Sequence, residues 1–265
     1  MKKLMSMLAS GVLFGSMAYA EGETEGITVK SGEVLTTGVV LSIQVKARPE
    51  GLATVGLVMK AGSDAASASF QSNILPDLTS LLNVRLGERV ALKDTSAMRL
   101  DPSKLVLQNQ SDVRVYFVGE GAGYHNTVGF NTWEVGQTAP KSAIGADAQL
   151  IFPDASSPVS TYDPAVTAVR TNSNPLLPGD FVNLGSYGAN TLLDFFLISN
   201  GTVGGRDAFS SDPTRNPDGL NHVVFFALAD SPFLIIAFED MLKGGDRDYN
   251  DGLSPSILAA PMSPT

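Results

Sequence analysis

Apolar and polar residues alternate with a period of two along much of the chain. Leu41, Ile43 and Val45 alternate with Ser42, Gln44 and Lys46, and Val113, Val115 and Phe117 repeat the pattern with Arg114 between them. That period places one face of a strand in a core and the other outside it. Thr54–Met59 and Leu105–Leu107 read as further short strands. From Thr191 onward the pattern changes: Leu192–Ile198, His222–Ala229 and Phe233–Phe238 are nearly continuous apolar runs. Strands covered on both faces look like this. Asp230-Ser231-Pro232 joins the last two as a short turn, and its proline bars helix continuation. The spacing of Ile74, Leu78, Leu81 and Leu82 predicts a helix over Ile74–Leu82, crossing between sheets.

With 26 glycines and 15 prolines to form turns, these elements predict an all-β fold. It is an antiparallel β-sandwich, jelly-roll-like, with one short helix. The stretch from Thr138 to Pro178, rich in Ala, Ser, Pro and Asn, reads as a long irregular insertion. A single domain over 21–260 is expected, with a frayed tail at 261–265.

The first twenty residues read as an export signal, to be removed before folding. Lys2 and Lys3 open it, Leu4 to Met17 form an apolar run too short to span a bilayer comfortably, and Ala18-Tyr19-Ala20 offers a small-x-small cleavage site. No later apolar stretch is long enough to cross a membrane, since Val223–Phe238 is broken by Asp230, Ser231 and Pro232. Without the signal the chain loses two lysines and no acid, so its formal charge moves from −9 to −11. An acidic exported protein suits cations as partners and disfavours nucleic acid and anionic membrane surfaces. There is no cysteine, which excludes disulfides and thiolate metal sites. A bound metal could serve as the staple instead. The expected location is extracellular or at the cell surface, with the periplasm as the alternative.

The stretch AFEDMLKGGDRDYNDG, Ala237 to Gly252, carries the candidate chemistry. Glu239, Asp240, Asp246, Asp248 and Asp251 crowd the end of the most apolar segment. Carboxylates that close repel one another unless a cation sits among them or all face water. Calcium takes six to eight oxygens from carboxylates, amides and carbonyls. Asp246, Asp248 and Asn250 alternate as in the opening of an EF-hand loop, but the match then fails: Asp251 stands where that loop needs glycine, and Ile257 where it needs glutamate. Gly244-Gly245 lets the chain turn so that Asp246 and Asp248 can face Glu239 or Asp240. The bland alternative makes Asp246 and Asp248 solvated, or salt-bridged to the interleaved Lys243 and Arg247.

FEDMLKGGDRDYND resembles the signature that ends the bacterial domain of unknown function 4114 family. GEGAGYHNTVGF, from Gly119 to Phe130, looks like that family's glycine-tyrosine-asparagine segment, and Asn216-Pro-Asp-Gly-Leu-Asn-His222 with the following VVFFAL like its penultimate strand. The resemblance spans roughly 105–251. It implies an exported β-sandwich of surface or matrix proteins with calcium (Ca²⁺) as ligand, and Glu239, Asp240, Asp246, Asp248 and Asp251 match the acidic signature. One departure is Pro255, which would remove a ladder donor where the family continues into a closing strand. Asn126, within GYHNTVGF, could lend its amide oxygen to the same cation or turn back on local backbone.

A metal hydrolase would need more than His125 and His222, neither of which has a second histidine at ligand spacing. No G-x-S-x-G motif or cysteine nucleophile accompanies them. His222, opening an apolar strand, reads as a structural group. Carboxylates gathered in one loop serve a hard cation better than a glycosidase pair, so the chain reads as a non-enzyme. The leading expectation is a calcium-binding structural or adhesive module whose partner is a matrix protein or a surface glycan. The alternative is calcium-dependent carbohydrate binding, with Trp133, the only tryptophan, stacking on a sugar. An exposed Trp133 beside the acidic loop would favour that alternative, and a buried one a structural role.

Overall fold

A computed structural model describes residues 27–28, 34–35, 51–86, 91, 105–158, 169–227 and 233–250 of the chain. The export-signal segment, the strand expected at 41–45, the turn at 230–232, Asp251, Pro255 and the tail lie outside the described residues.

The strands are β1 (Ile27–Thr28), β2 (Val34–Leu35), β3 (Ala53–Thr54), β4 (Val58–Met59), β5 (Ser111–Tyr116), β6 (Thr127–Glu134), β7 (Gln149–Phe152), β8 (Phe181–Tyr187), β9 (Thr191–Ile198), β10 (Ala208–Ser210), β11 (Val223–Ala227) and β12 (Leu234–Phe238). Helices α1 (Ala65–Asn73) and α2 (Leu75–Arg85) complete the regular elements of the described residues, apart from short 3-10 turns. Five strands form one sheet in the order β10-β9-β6-β7-β3, three form β4-β8-β5, and β11 pairs with β12. Every pairing is antiparallel except β3 with β7. The fold is all-β.

One core lies between the layers. Val128 and Phe130 of β6, with Leu193, Phe195 and Leu197 of β9, face Val113 and Val115 of β5, Val182 and Leu184 of β8, Phe225 of β11 and Phe238 of β12. The alternation at 113–117 therefore marks a buried face, as the period-two pattern requires. The continuous runs mark strands buried twice. Val224, Ile235 and Ala237 turn away from that core and pack beneath Phe70, Leu75, Leu78 and Leu82 of the helices. On the far side, Phe196 and Ile198 are covered by Ala143, Ala148 and their neighbours.

Four sequence expectations change. Among the described residues there are two helices, not one; α1 has almost no apolar stripe to announce it, its buried side chains being Ser67 and Phe70. What starts α1 is a capping box, with Asp64 Oδ1 accepting from Ser67 N at 2.7 Å and Ser67 Oγ from Asp64 N at 3.1 Å. Within the stretch read as an irregular insertion, β7 occupies a place between β6 and β3; four residues are too few for periodicity to announce a strand. Thr54–Met59 is also two strands. The chain passes from the five-stranded sheet to the three-stranded one between them. Leu105–Leu107 contributes a bridge, Val106 to Leu192, and no longer ladder. No helix of the described residues is long and apolar enough to cross a membrane.

Candidate metal centre

Strand β12 ends at Phe238, and the two acids that follow find different surroundings. Glu239 turns toward the acidic loop, where one carboxylate oxygen each from Glu239, Asp246 and Asp248 lie within 4.8 Å of one another. Two oxygens on one calcium, each at about 2.4 Å, stand no more than about 4.8 Å apart, so the triad fits a single hard cation. Glu239 and Asp248 are buried, each 1% exposed, while Asp246 is open to solvent. Only Asp246 is the solvated surface group that the bland alternative expects of both aspartates.

The loop reaches this geometry by unusual winding. Lys243, Gly244, Gly245, Arg247 and Tyr249 all take positive φ, at 70°, 78°, 40°, 61° and 58°. Non-glycine residues pay roughly 1–2 kcal/mol for that conformation, so three of them signal a loop fixed by its surroundings. Between them, Asp246 Oδ1 accepts from Asp248 N at 3.4 Å, and Asp248 Oδ1 accepts from Asn250 N at 3.2 Å. The Asn250 amide also donates to Asp248 Oδ2 at 2.8 Å, so Asn250 holds a carboxylate of the triad. A Cβ at Gly245 would collide with Glu239 Oε1. Glycine there lets the loop lie against that carboxylate.

Both ends of the loop are clamped by residues 218–222. His222, fully buried, places Nδ1 2.9 Å from the Glu239 carbonyl and Nε2 3.1 Å from both Asp218 oxygens. Its ring stacks on Phe209, with centroids 3.8 Å apart. Asp218 Oδ2 accepts from Lys243 N at 2.6 Å, and the Tyr249 hydroxyl donates to the Asn221 carbonyl at 3.0 Å. Partial burial alone would raise the Asp218 carboxyl. Hydrogen bonds from Leu220 N, Lys243 N and His222 outweigh it and hold the group below its ordinary value. His222 is the structural group that its place in the sequence suggests.

Asp240 belongs to a second acidic group. Its Oδ2 accepts from the Asn126 amide at 2.7 Å, and Asn126 Oδ1 accepts from Asn200 N at 2.9 Å. Nearby stand Glu120 and Asp154. Burial pushes the Glu120 carboxyl up to about 8; hydrogen bonds from Ser157 N and Ala122 N oppose the rise, and the charges of Asp154 and Asp240 add to it. Burial likewise raises Asp154 against bonds from Ser156 and the contact with His125. His125 Nδ1 lies 2.8 Å from Ser156 Oγ and 3.5 Å from Asp154 Oδ1. The two groups adjoin, because Gly121 N donates to the Asn250 carbonyl at 2.9 Å, and a Cβ on Gly121 would stand 2.8 Å from Asn250 Oδ1.

Of the residues proposed from sequence, the structure thus gathers Glu239, Asp246 and Asp248, sets Asn250 behind Asp248, and places Asp240 with Asn126 beside the triad. The Asn126 amide oxygen faces Asn200 N. Glu120 and Asp154 escape sequence reasoning, because single acids 34 positions apart carry no spacing signal until the sheet brings them together. Trp133, half-buried, lies seven residues from Asn126 along β6, about 23 Å at 3.3 Å per residue. It is at the other end of the strand.

A family model described as Domain of unknown function (DUF4114) matches residues 188–253. That stretch, from β9 through the acidic loop, is similar to the DUF4114 family; the Gly119–Phe130 segment lies outside the match. No curated protein and no solved structure matches the chain.

Proposed function

We propose that the protein is an exported, calcium-binding β-sandwich module with a structural or adhesive role at the cell surface or in the extracellular matrix. The observation that carries this reading is the triad of Glu239, Asp246 and Asp248, converging within 4.8 Å with two members buried. Three carboxylates suit a hard oxygen-seeking cation, and nothing in the set favours a soft metal. Glu239, Asp246 and Asp248 would hold the ion, Asn250 would orient Asp248, and the second acidic group would add to the local negative field. When bound, calcium offsets the repulsion among carboxylates brought beside a buried hairpin. Export rests on the basic-apolar-small pattern of the first twenty residues, and the absence of cysteine makes a metal staple useful there.

Extracellular calcium modules bind at about 10⁻⁴ to 10⁻³ M. Linked stabilisation is then about 1.4 kcal/mol at tenfold saturation and about 2.7 kcal/mol at hundredfold. The test is thermal unfolding in excess calcium, in chelator and in magnesium alone. A rise of several degrees with calcium and little with magnesium supports the reading. A calcium-dependent rise that survives the double change Asp246→Ala, Asp248→Ala overturns the site. The calcium-bridged carbohydrate alternative draws no support from Trp133, which stands at the opposite end of β6.

A further inference from the structure

That opposite end carries a cleft of its own. Residues 137–147 fold back over the outer face of β6 and form an open cleft of about 430 Å³ against Asn131, Thr132 and Trp133, a volume within the range of small-molecule sites. We propose that this cleft is a carbohydrate-binding site that works without the metal.

Three observations converge on that ligand class. First, the cleft is built on fixed parts. Buried Asn131 donates to the Ala143 carbonyl and to Asp194 Oδ2, both at 2.9 Å, while its Oδ1 accepts from Gly145 N at 2.7 Å. One side chain thereby ties the loop to the sheet before any ligand arrives, which lowers the cost of binding. Second, Trp133 lines the cleft with its ring held in place by Arg215, whose Cζ lies 5.6 Å from the ring centroid. Arg215 is itself pinned by Asp194 at 2.9 Å and Asp212 at 3.3 Å. A fixed aromatic plate supplies apolar contact at little entropic cost.

Third, the remaining lining is polar and balanced in charge. Gln137, Thr138 and Ser142 offer neutral donors and acceptors, and Lys141 is matched by Asp147. Gln137 is oriented within the lining, where its Oε1 accepts from Glu134 N at 3.0 Å. A purely apolar ligand would strand these groups, and an anionic one would meet as much negative as positive charge. A sugar ring presents an apolar C–H face beside hydroxyls that both donate and accept, and that is the surface this lining complements.

The single tryptophan makes the test direct, since all indole emission comes from Trp133. The intact protein is titrated with a panel of neutral hexoses, N-acetylhexosamines and their α- and β-linked oligomers, in chelator and again in calcium. The expected result is a saturable change in emission with at least one sugar, equal in both buffers. Retention on an array of the same glycans should weaken about tenfold in Trp133→Ala, the size of a lost aromatic anchor. Exposed Gln137→Ala, which keeps the tryptophan, should weaken it too. The proposal is overturned if no panel sugar changes the emission, if the change disappears in chelator, or if both variants are retained like the parent. Because the readout is independent of calcium, its failure leaves the metal reading standing, and the converse holds.

Discussion

The side-chain amide of Asn126 donates to Asp240 Oδ2 at 2.7 Å across 114 positions of sequence, and its oxygen accepts from Asn200 N at 2.9 Å. One buried side chain thus ties three loops together at the end of the sandwich that holds the acidic groups. Asn126→Ala takes this partner from both groups, and an unmet buried hydrogen bond costs about 1–3 kcal/mol. Urea unfolding should show a loss of that size. Asn126→Asp, which adds a fourth acid to Glu120, Asp154 and Asp240, should cost more in chelator than Asn126→Ala does.

Glu120 sets a pH dependence of definite sign. Its carboxyl rises from 4.5 in the unfolded chain to about 8 in the folded one, chiefly through burial. Between those values the folded state holds a proton that the unfolded state has released, so stability falls as pH rises across that window. In chelator, the melting temperature should decline from about pH 4.5 to about 8, and Glu120→Gln should flatten the decline. A profile equally steep in the variant would assign the effect to other groups.

Gly245 has φ of 40° and no room for a Cβ beside Glu239 Oε1. Gly245→Ala should therefore push the loop off that carboxylate and remove most of the calcium-dependent rise in melting temperature. In chelator the backbone penalty should amount to only about 1–2 kcal/mol. Calorimetry with calcium should show weakened binding in a protein that still folds.

Away from the site, Arg170 and Asp180 form a buried two-pronged ion pair. Asp180 also accepts from Ala61 N at 3.1 Å and Leu177 N at 2.7 Å. Arg170→Met leaves that carboxylate uncompensated and should cost about 3–5 kcal/mol in denaturant unfolding. Adding Asp180→Asn should recover part of the loss, since it removes the buried charge.

Calcium withdrawal is the broadest check on the proposed function. At hundredfold saturation about 2.7 kcal/mol of stabilisation is at stake, and chelation should abolish it in the parent protein. Glu239→Gln, which keeps the shape of the buried side chain and removes its charge, should lose most of the calcium response with little change in far-UV circular dichroism.

The sequence by itself determined what local patterns can encode. Continuous apolar runs announced β9, β11 and β12 as strands buried on both faces, because a strand with two covered faces leaves few positions for polar side chains, Asp194 of β9 being one that is paired. The motif from Glu239 to Asn250 was legible for a similar reason: short spacing, paired glycines and alternating acids belong to one loop. What crosses the fold was silent. The capping box of α1 has no apolar stripe to announce it, and the four residues of β7 become a strand only because β6 and β3 flank them. Asp240 and Asp246 look alike as members of one acidic run. The sequence left Asp246 and Asp248 facing either Glu239 or Asp240; the tertiary structure selects Glu239 and turns Asp240 to Asn126 beside Glu120 and Asp154, because packing brings the Asn126 loop against one 114 positions away.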